Sequence, residues 1–321
     1  MKACFALPER ERLFAELAER SPYRVAFDFF GSPVEACATS GALLARLRRV
    51  YGHFIVARAG AGARRMILID PQSSAELGLA RRFGRAQSAF DGHVLLADWF
   101  GWGLRIAGDS LLHYYASKLL RLWVAERCDP EMVTLHAASL AGPSGGGVVL
   151  IGEAAAGKTT LTLRLLERGF RYLSDDTTCI RRRDLACVPF PMAFVLRGGP
   201  RRAPDIALLD EPRWLVERWD AVGAAFAATA LYFLGAHHGL GPGELRPIAP
   251  ADTALRVLRN FVMPLGADAG AFTASPRNFD FACRLALAAD GVEVESGDLA
   301  AALETILADY RLRNVASEGV A

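Results

Sequence analysis

The chain has 321 residues, 52% of them hydrophobic and 22% charged, which is enough apolar material for one large or two ordinary cores. Its 37 lysines and arginines nearly balance 35 aspartates and glutamates, and a formal charge of +2 gives no bulk electrostatic reason to bind nucleic acid or an anionic membrane. Six cysteines without a C-x-x-C pair exclude a cysteine-built zinc site and point to buried, reduced thiols.

In chain order, Leu13, Phe14 and Leu17 mark one face of a helix after Pro8. Tyr23 to Phe30 alternates with a period of two up to the Gly31-Ser32-Pro33 turn, which predicts a strand with Val34 to Thr39 as its hairpin partner. Leu43, Leu44, Leu47 and Val50 suit a helix from Gly41, and His53 to Arg58 and Arg65 to Asp70 read as strands around Gly60-Ala61-Gly62. Strands are also expected near Gly92 to Ala97 and Gly103 to Ala107. A long helix follows over Ser110 to Arg127, with Leu111, Tyr115, Leu119, Leu122 and Trp123 on its apolar side. This predicts an N-terminal α+β module over residues 1–128, the helix leading into a second domain over 129–321.

From Met132 the order becomes strand, strand, helix, strand, that of an α/β nucleotide-binding core. Val133 to Leu140 reads as a strand holding His136, and Gly142 to Gly147 as a turn into Val148 to Ile151. Next come Gly152, Glu153, Ala154, Ala155, Ala156, Gly157, Lys158, Thr159 and Thr160, a full match to G-x-x-x-x-G-K-[ST] that leads into a helix through Leu161 and Leu165. Such a loop turns backbone N–H groups toward phosphate oxygens, while Lys158 neutralises the β/γ-phosphates and the Thr159 hydroxyl ligates Mg²⁺. ATP and Mg²⁺ are the expected cofactors.

Gly169 stops that helix, and Arg171 to Ser174 form a strand ending in Asp175-Asp176, with Asp176 18 residues after Lys158. One helix out and one strand back returns both carboxylates to the phosphate loop, where one can hold Mg²⁺ and another accept a hydroxyl proton. Asp175-Asp176 would also suit the opening of a turn, and His136 a packed strand position. Adjacent His237 and His238 would point to opposite faces of a strand, which argues against a shared metal. Arg181 to Arg183 and the charges flanking Pro200 (Arg197, Arg201, Arg202) read as solvated turns. Helices are expected over Pro212 to Trp219, Pro250 to Phe261 and Asp298 to Tyr310, the last capped by Asp298. A strand is expected over Ala230 to Leu234, and fraying after Arg313. The uncharged run Ala221 to Ala236 is too short to span a bilayer, and Pro8 and Glu9 end the N-terminal apolar segment too early for a signal peptide. A cytoplasmic chain with neither membrane nor nucleic acid as partner is expected.

Leu135-His136, the loop Gly152 to Thr159, and Glu167-Arg168-Gly169 through Asp175-Asp176 resemble, in this order, the catalytic domain of HPr kinase/phosphorylase and its relatives. The resemblance implies an α/β fold with a P-loop kinase core akin to phosphoenolpyruvate carboxykinase. It also implies transfer of the ATP γ-phosphate to a serine hydroxyl. By position, Asp176 is then the general base and Asp175 its acidic neighbour and, with Thr159, a metal ligand. Lys158 binds phosphate and His136 sits beside the transferred group. The family's E-x-R-G segment would fall on Val195-Leu196-Arg197-Gly198, where Val195 replaces the metal-binding glutamate, and the segment tied to the phosphorylase reaction has no counterpart. The N-terminal module and the ending look more like HPr-kinase-related proteins, some of which phosphorylate precursor peptides in ribosomal peptide pathways, lasso peptides included. The expectation is therefore a Ser/Thr kinase of a peptide or small protein, for which the resemblance also admits a homo-oligomer. The alternatives are a small-molecule hydroxyl kinase and a nucleotide-binding regulatory protein without catalysis. The second draws on Val195 and on Ala154 to Ala156, which follow such a loop wherever φ stays negative.

Overall fold

A computed structural model of the chain describes residues 7–76, 93–97, 102–106, 109–128, 130–196, 206–208, 211–237, 239–263 and 268–318. Two compact units emerge, one made of Met1–Val124 with Ala193–Glu217, the other of Ala125–Met192 with Arg218–Ala321. Arg197, Arg201, Arg202, Gly198 and His238 lie outside the described residues, as does Cys4.

The first unit opens with α1 (Leu7–Glu19), β1 (Tyr23–Phe29) and β2 (Ser32–Ala38), whose antiparallel register runs from Tyr23↔Ala38 to Phe29↔Ser32. Phe30 and Gly31 close the hairpin with φ of +56° and +78°, the left-handed pair that a two-residue hairpin turn demands. α2 (Gly41–Val50) buries Leu43, Leu44, Leu47 and Val50, the face its spacing predicts. The strand expected over His53 to Arg58 shrinks to β3 (Ile55–Val56) behind a 3-10 turn at Gly52–Phe54. The cause is Phe54, which turns inward onto Phe29 with ring centroids 4.9 Å apart. β4 (Arg64–Ile69), β5 (His93–Ala97) and β6 (Trp102–Ile106) complete the sheet, in the order β3-β1-β2-β4-β5-β6.

The long helix spans Asp109–Cys128, but its inward face carries Leu112, Ala116, Leu119, Leu120 and Trp123, whereas Tyr115 is exposed. The observed stripe keeps Leu119 and Trp123 of the expected one and is otherwise turned toward Leu112, Ala116 and Leu120. The predicted helix over Pro212 to Trp219 is instead a strand, Glu211–Val216, pairing with Phe194–Leu196 and Ile206–Leu208. Long-range pairing overrides local helical spacing there.

In the second unit, β7 (Met132–Leu135), β8 (Ala137–Ala141), β9 (Gly147–Ile151), β10 (Arg171–Ser174), β11 (Thr178–Arg181) and β12 (Ala186–Val188) surround the helix Lys158–Glu167. One sheet, continued by Ala230–Gly235, Asp290–Glu295 and Leu245–Ile248, has its middle strands parallel: Gly147–Ile151 pairs with Ala230–Gly235, which pairs with Asp290–Glu295. Helices Pro250–Arg259 and Pro276–Ala288 cover one face through Val257, Phe281 and Leu285, which pack with Val149, Ile151, Leu231 and Phe233. Asp298 accepts hydrogen bonds from the N–H groups of Ala300 and Ala301, capping a terminal helix that continues to Glu318, beyond the expected fraying point. Arg182, expected in a solvated turn, is buried, donates to Asn278 Oδ1 at 2.7 Å and stacks over Phe281.

The fold is mixed α/β with several sheets, and the second unit changes sheets twice at the same level. β8 and β10 pair in the larger sheet, β7 and β11 in a smaller one, so the chain switches between them at His136 and again at Asp175–Thr177. His136 is therefore a joint between two strands and not a position within one.

Candidate phosphate-binding and transfer site

β9 delivers Gly152 to Gly157 as a loop, and the helix starts at Lys158, as the motif predicts. Gly157 has φ of +96° and faces Leu299, so any side chain there would be strained and would collide. Ala155, however, sits at φ of +70°, so the alanine run does not keep to negative φ; the loop holds one L residue in a left-handed conformation that costs about 1 kcal/mol. Glu153, Ala154 and Ala155 are exposed, as is Thr160 on the first helical turn. No side chain caps this helix, which leaves its N-terminal dipole open to an anion.

Lys158 is buried, and its ammonium donates to the carbonyls of Gly152 at 2.5 Å and Glu153 at 3.0 Å and to Nε2 of His136 at 3.2 Å. An ammonium can only donate, so Nε2 accepts and the ring proton resides on Nδ1. That nitrogen lies 3.0 Å from Asp176 Oδ1, giving a continuous line Lys158–His136–Asp176. The backbone holds the line in place: His136 N–H donates to the carbonyl of Asn260 at 2.8 Å, and Asp176 adopts φ of +69° in its turn. Burial lowers the Lys158 pKa, while the charges of Asp176 and Asp175 oppose that shift.

Asp175 faces the other way. Its Oδ2 accepts the Thr159 hydroxyl at 2.8 Å, and its buried Oδ1 has no hydrogen-bond partner among the described residues. Burial, reinforced by the Asp176 charge, pushes its carboxyl up to about 6. An orphaned buried carboxylate oxygen beside a threonine hydroxyl fits a hard divalent cation. Among the described residues no group of three or more His, Cys, Asp or Glu could hold a metal ion.

No protein-family model matches the chain, and no curated protein matches it. Among solved structures, it is similar to the Hpr(Ser) kinase/phosphatase from Coxiella burnetii, with 17% identity and a TM-score of 0.33 over 58% of this chain and 95% of that one.

Of the remaining sequence candidates, Val195 lies on a strand of the first unit. His237 is turned to its own chain, Nε2 donating to the Phe233 carbonyl at 2.9 Å, with Nδ1 3.6 Å from Glu293. Cys37, Cys128, Cys179 and Cys187 are buried free thiols, as expected, whereas Cys283 is half-buried. No described helix is long and apolar enough to cross a membrane. Asn260 was not visible as a contributor, because its part is played by a backbone carbonyl to which any residue type could have contributed.

Proposed function

We propose that the chain is a Mg·ATP-dependent phosphotransferase that delivers the γ-phosphate to a Ser or Thr hydroxyl of a peptide or small protein. The observation that carries this reading is the contact of Asp176 with His136, whose other ring nitrogen meets the lysine of a complete phosphate loop. In this reading Lys158 exchanges the carbonyls of Gly152 and Glu153 for phosphate oxygens. Thr159 and Asp175 hold Mg²⁺, which when bound neutralises charge on the phosphates. Asp176, 41% exposed and so within reach of an acceptor, takes the hydroxyl proton, and Nδ1–H of His136 orients its carboxylate. A peptide or small protein is favoured over a metabolite because a compact metabolite kinase needs no second α+β unit.

The test is to incubate the purified chain with Mg²⁺, γ-labelled ATP and the peptides and small proteins encoded beside its gene. Label on a Ser or Thr hydroxyl is expected, and Asp176→Asn should lower transfer by about 10³-fold while ATP still binds. Full transfer by Asp176→Asn would remove the base assignment, and label on metabolites alone would replace the peptide acceptor with a small molecule.

A further inference from the structure

Next to the His136–Asp176 contact runs a line of buried hydroxyl groups to which the reading above gives no role. Ser139 Oγ lies 2.8 Å from Ser174 Oγ, Ser174 Oγ lies 2.8 Å from Thr178 Oγ1, and Thr178 donates to the Ala137 carbonyl at 3.0 Å. All three side chains are fully buried. Each hydroxyl has one proton to give, and Thr178 gives its own to a carbonyl. The line therefore runs in one direction, from Ser139 to Ser174 to Thr178 to the carbonyl of Ala137.

Its members come from the chain stretches that change sheets. Ala137 and Ser139 belong to β8, which begins directly after His136; Ser174 is the last residue of β10 and Thr178 the first of β11. The line thus grips the Asp175–Thr177 turn at both ends and ties it to the strand that follows His136. Backbone pairing alone leaves this turn weakly fixed, because the β8–β10 register shifts between Tyr172 and Ser174. The turn also carries Asp176 at φ of +69°, a conformation that persists only where surrounding contacts impose it. Apolar side chains could fill the same volume, but only directional hydrogen bonds select one register.

We propose that Ser139, Ser174 and Thr178 are positioning residues that set the Asp176 carboxylate against Nδ1 of His136. The consequence for rate rests on the phosphotransfer reading; the geometric part stands without it.

The Nδ1 proton of His136 reports the contact directly in ¹⁵N-histidine-labelled full-length protein, and His136→Gln identifies its signal. Thr178→Val keeps the side-chain shape and removes the hydroxyl, whereas Thr178→Ser keeps the hydroxyl. We expect the downfield Nδ1–H signal to vanish in Thr178→Val and to persist in Thr178→Ser. With water as acceptor, release of labelled phosphate from γ-labelled ATP should show kcat lowered about tenfold or more in Thr178→Val, KM for ATP within about twofold, and recovery in Thr178→Ser. An unchanged signal in a folded Thr178→Val protein overturns the proposal. Should that variant not fold, Ser139→Ala breaks the line at its donor end and is read by the same signal: its loss supports the positioning role, and its persistence overturns it. Lost and recovered signals combined with neither phosphate release nor label on any offered hydroxyl acceptor by the unmutated protein would overturn the phosphotransfer reading and leave the positioning role in place.

Discussion

Asp175 and Glu293 are both buried carboxylates of the second unit, and they differ in how far the chain itself satisfies them. Glu293 accepts from Arg256 and from Arg246, each at 2.5 Å. Burial works against its ionisation, yet the two arginine hydrogen bonds outweigh it and hold the carboxyl below the ordinary range. Among the described residues Asp175 has one hydroxyl on one oxygen and no partner on the other, and burial leaves it reluctant to ionise. The Glu293 cluster is complete within the chain. The Asp175 cluster leaves one carboxylate oxygen open, and in the proposed reading Mg²⁺ fills that place.

The contrast can be broken most decisively at Lys158. Lys158→Ala should weaken ATP binding roughly 100-fold, about 3 kcal/mol, in equilibrium titrations, whereas Glu293→Ala should leave it unchanged. Equal losses in both variants would mean that the two clusters serve one site. Next in size is a pH effect. The folded pKa of Asp175 is raised, so the fold favours its protonated form: its contribution to stability is fully present below about pH 4 and is lost as pH rises through about 6. Urea denaturation without Mg²⁺ should therefore find Asp175→Asn more stable by about 2 kcal/mol above about pH 7 and no different near pH 4. Added Mg²⁺·ATP should stabilise the unmutated chain more than this variant. Glu293→Ala removes the carboxylate shared by two arginines that are only partly buried, and should cost about 2 kcal/mol in the same assay. Smallest is Ala155→Gly, which relieves the left-handed strain at a cost in chain entropy and should stabilise by about 0.5 kcal/mol with ATP affinity intact.

The phosphate loop was legible because all its parts are contiguous: strand, turn residues, lysine and helix follow one another between Gly147 and Glu167. The return of Asp175 and Asp176 was legible as chain arithmetic, one helix out and one strand back. What stayed hidden depends on pairing across long separations. His136 reads as a strand residue because Met132–Leu135 and Ala137–Ala141 are both good strand sequences, and only their different partners make it a joint. Ser139, Ser174 and Thr178 are ordinary hydroxyl residues until folding brings them within 2.8 Å of one another in sequence order. The segment Glu211–Val216 has helical spacing and becomes a strand because Phe194–Leu196 and Ile206–Leu208 flank it.

The first unit is discontinuous, and this shapes how the chain can be made. Residues 193–217 return to it after 68 residues of the second unit, Ala125–Met192, have been laid down. Arg49 meets Glu217 at 2.5 Å, and the Val50 carbonyl accepts the N–H of Ala193, so the first unit acquires its last contacts only after the phosphate loop has been synthesised. On the ribosome neither unit can finish as an isolated block, because each waits for sequence lying beyond part of the other. Fragments severed near residue 128 would put residues 193–217 on a different polypeptide from the rest of the first unit, and the two pieces would have to be brought together again for that unit to close.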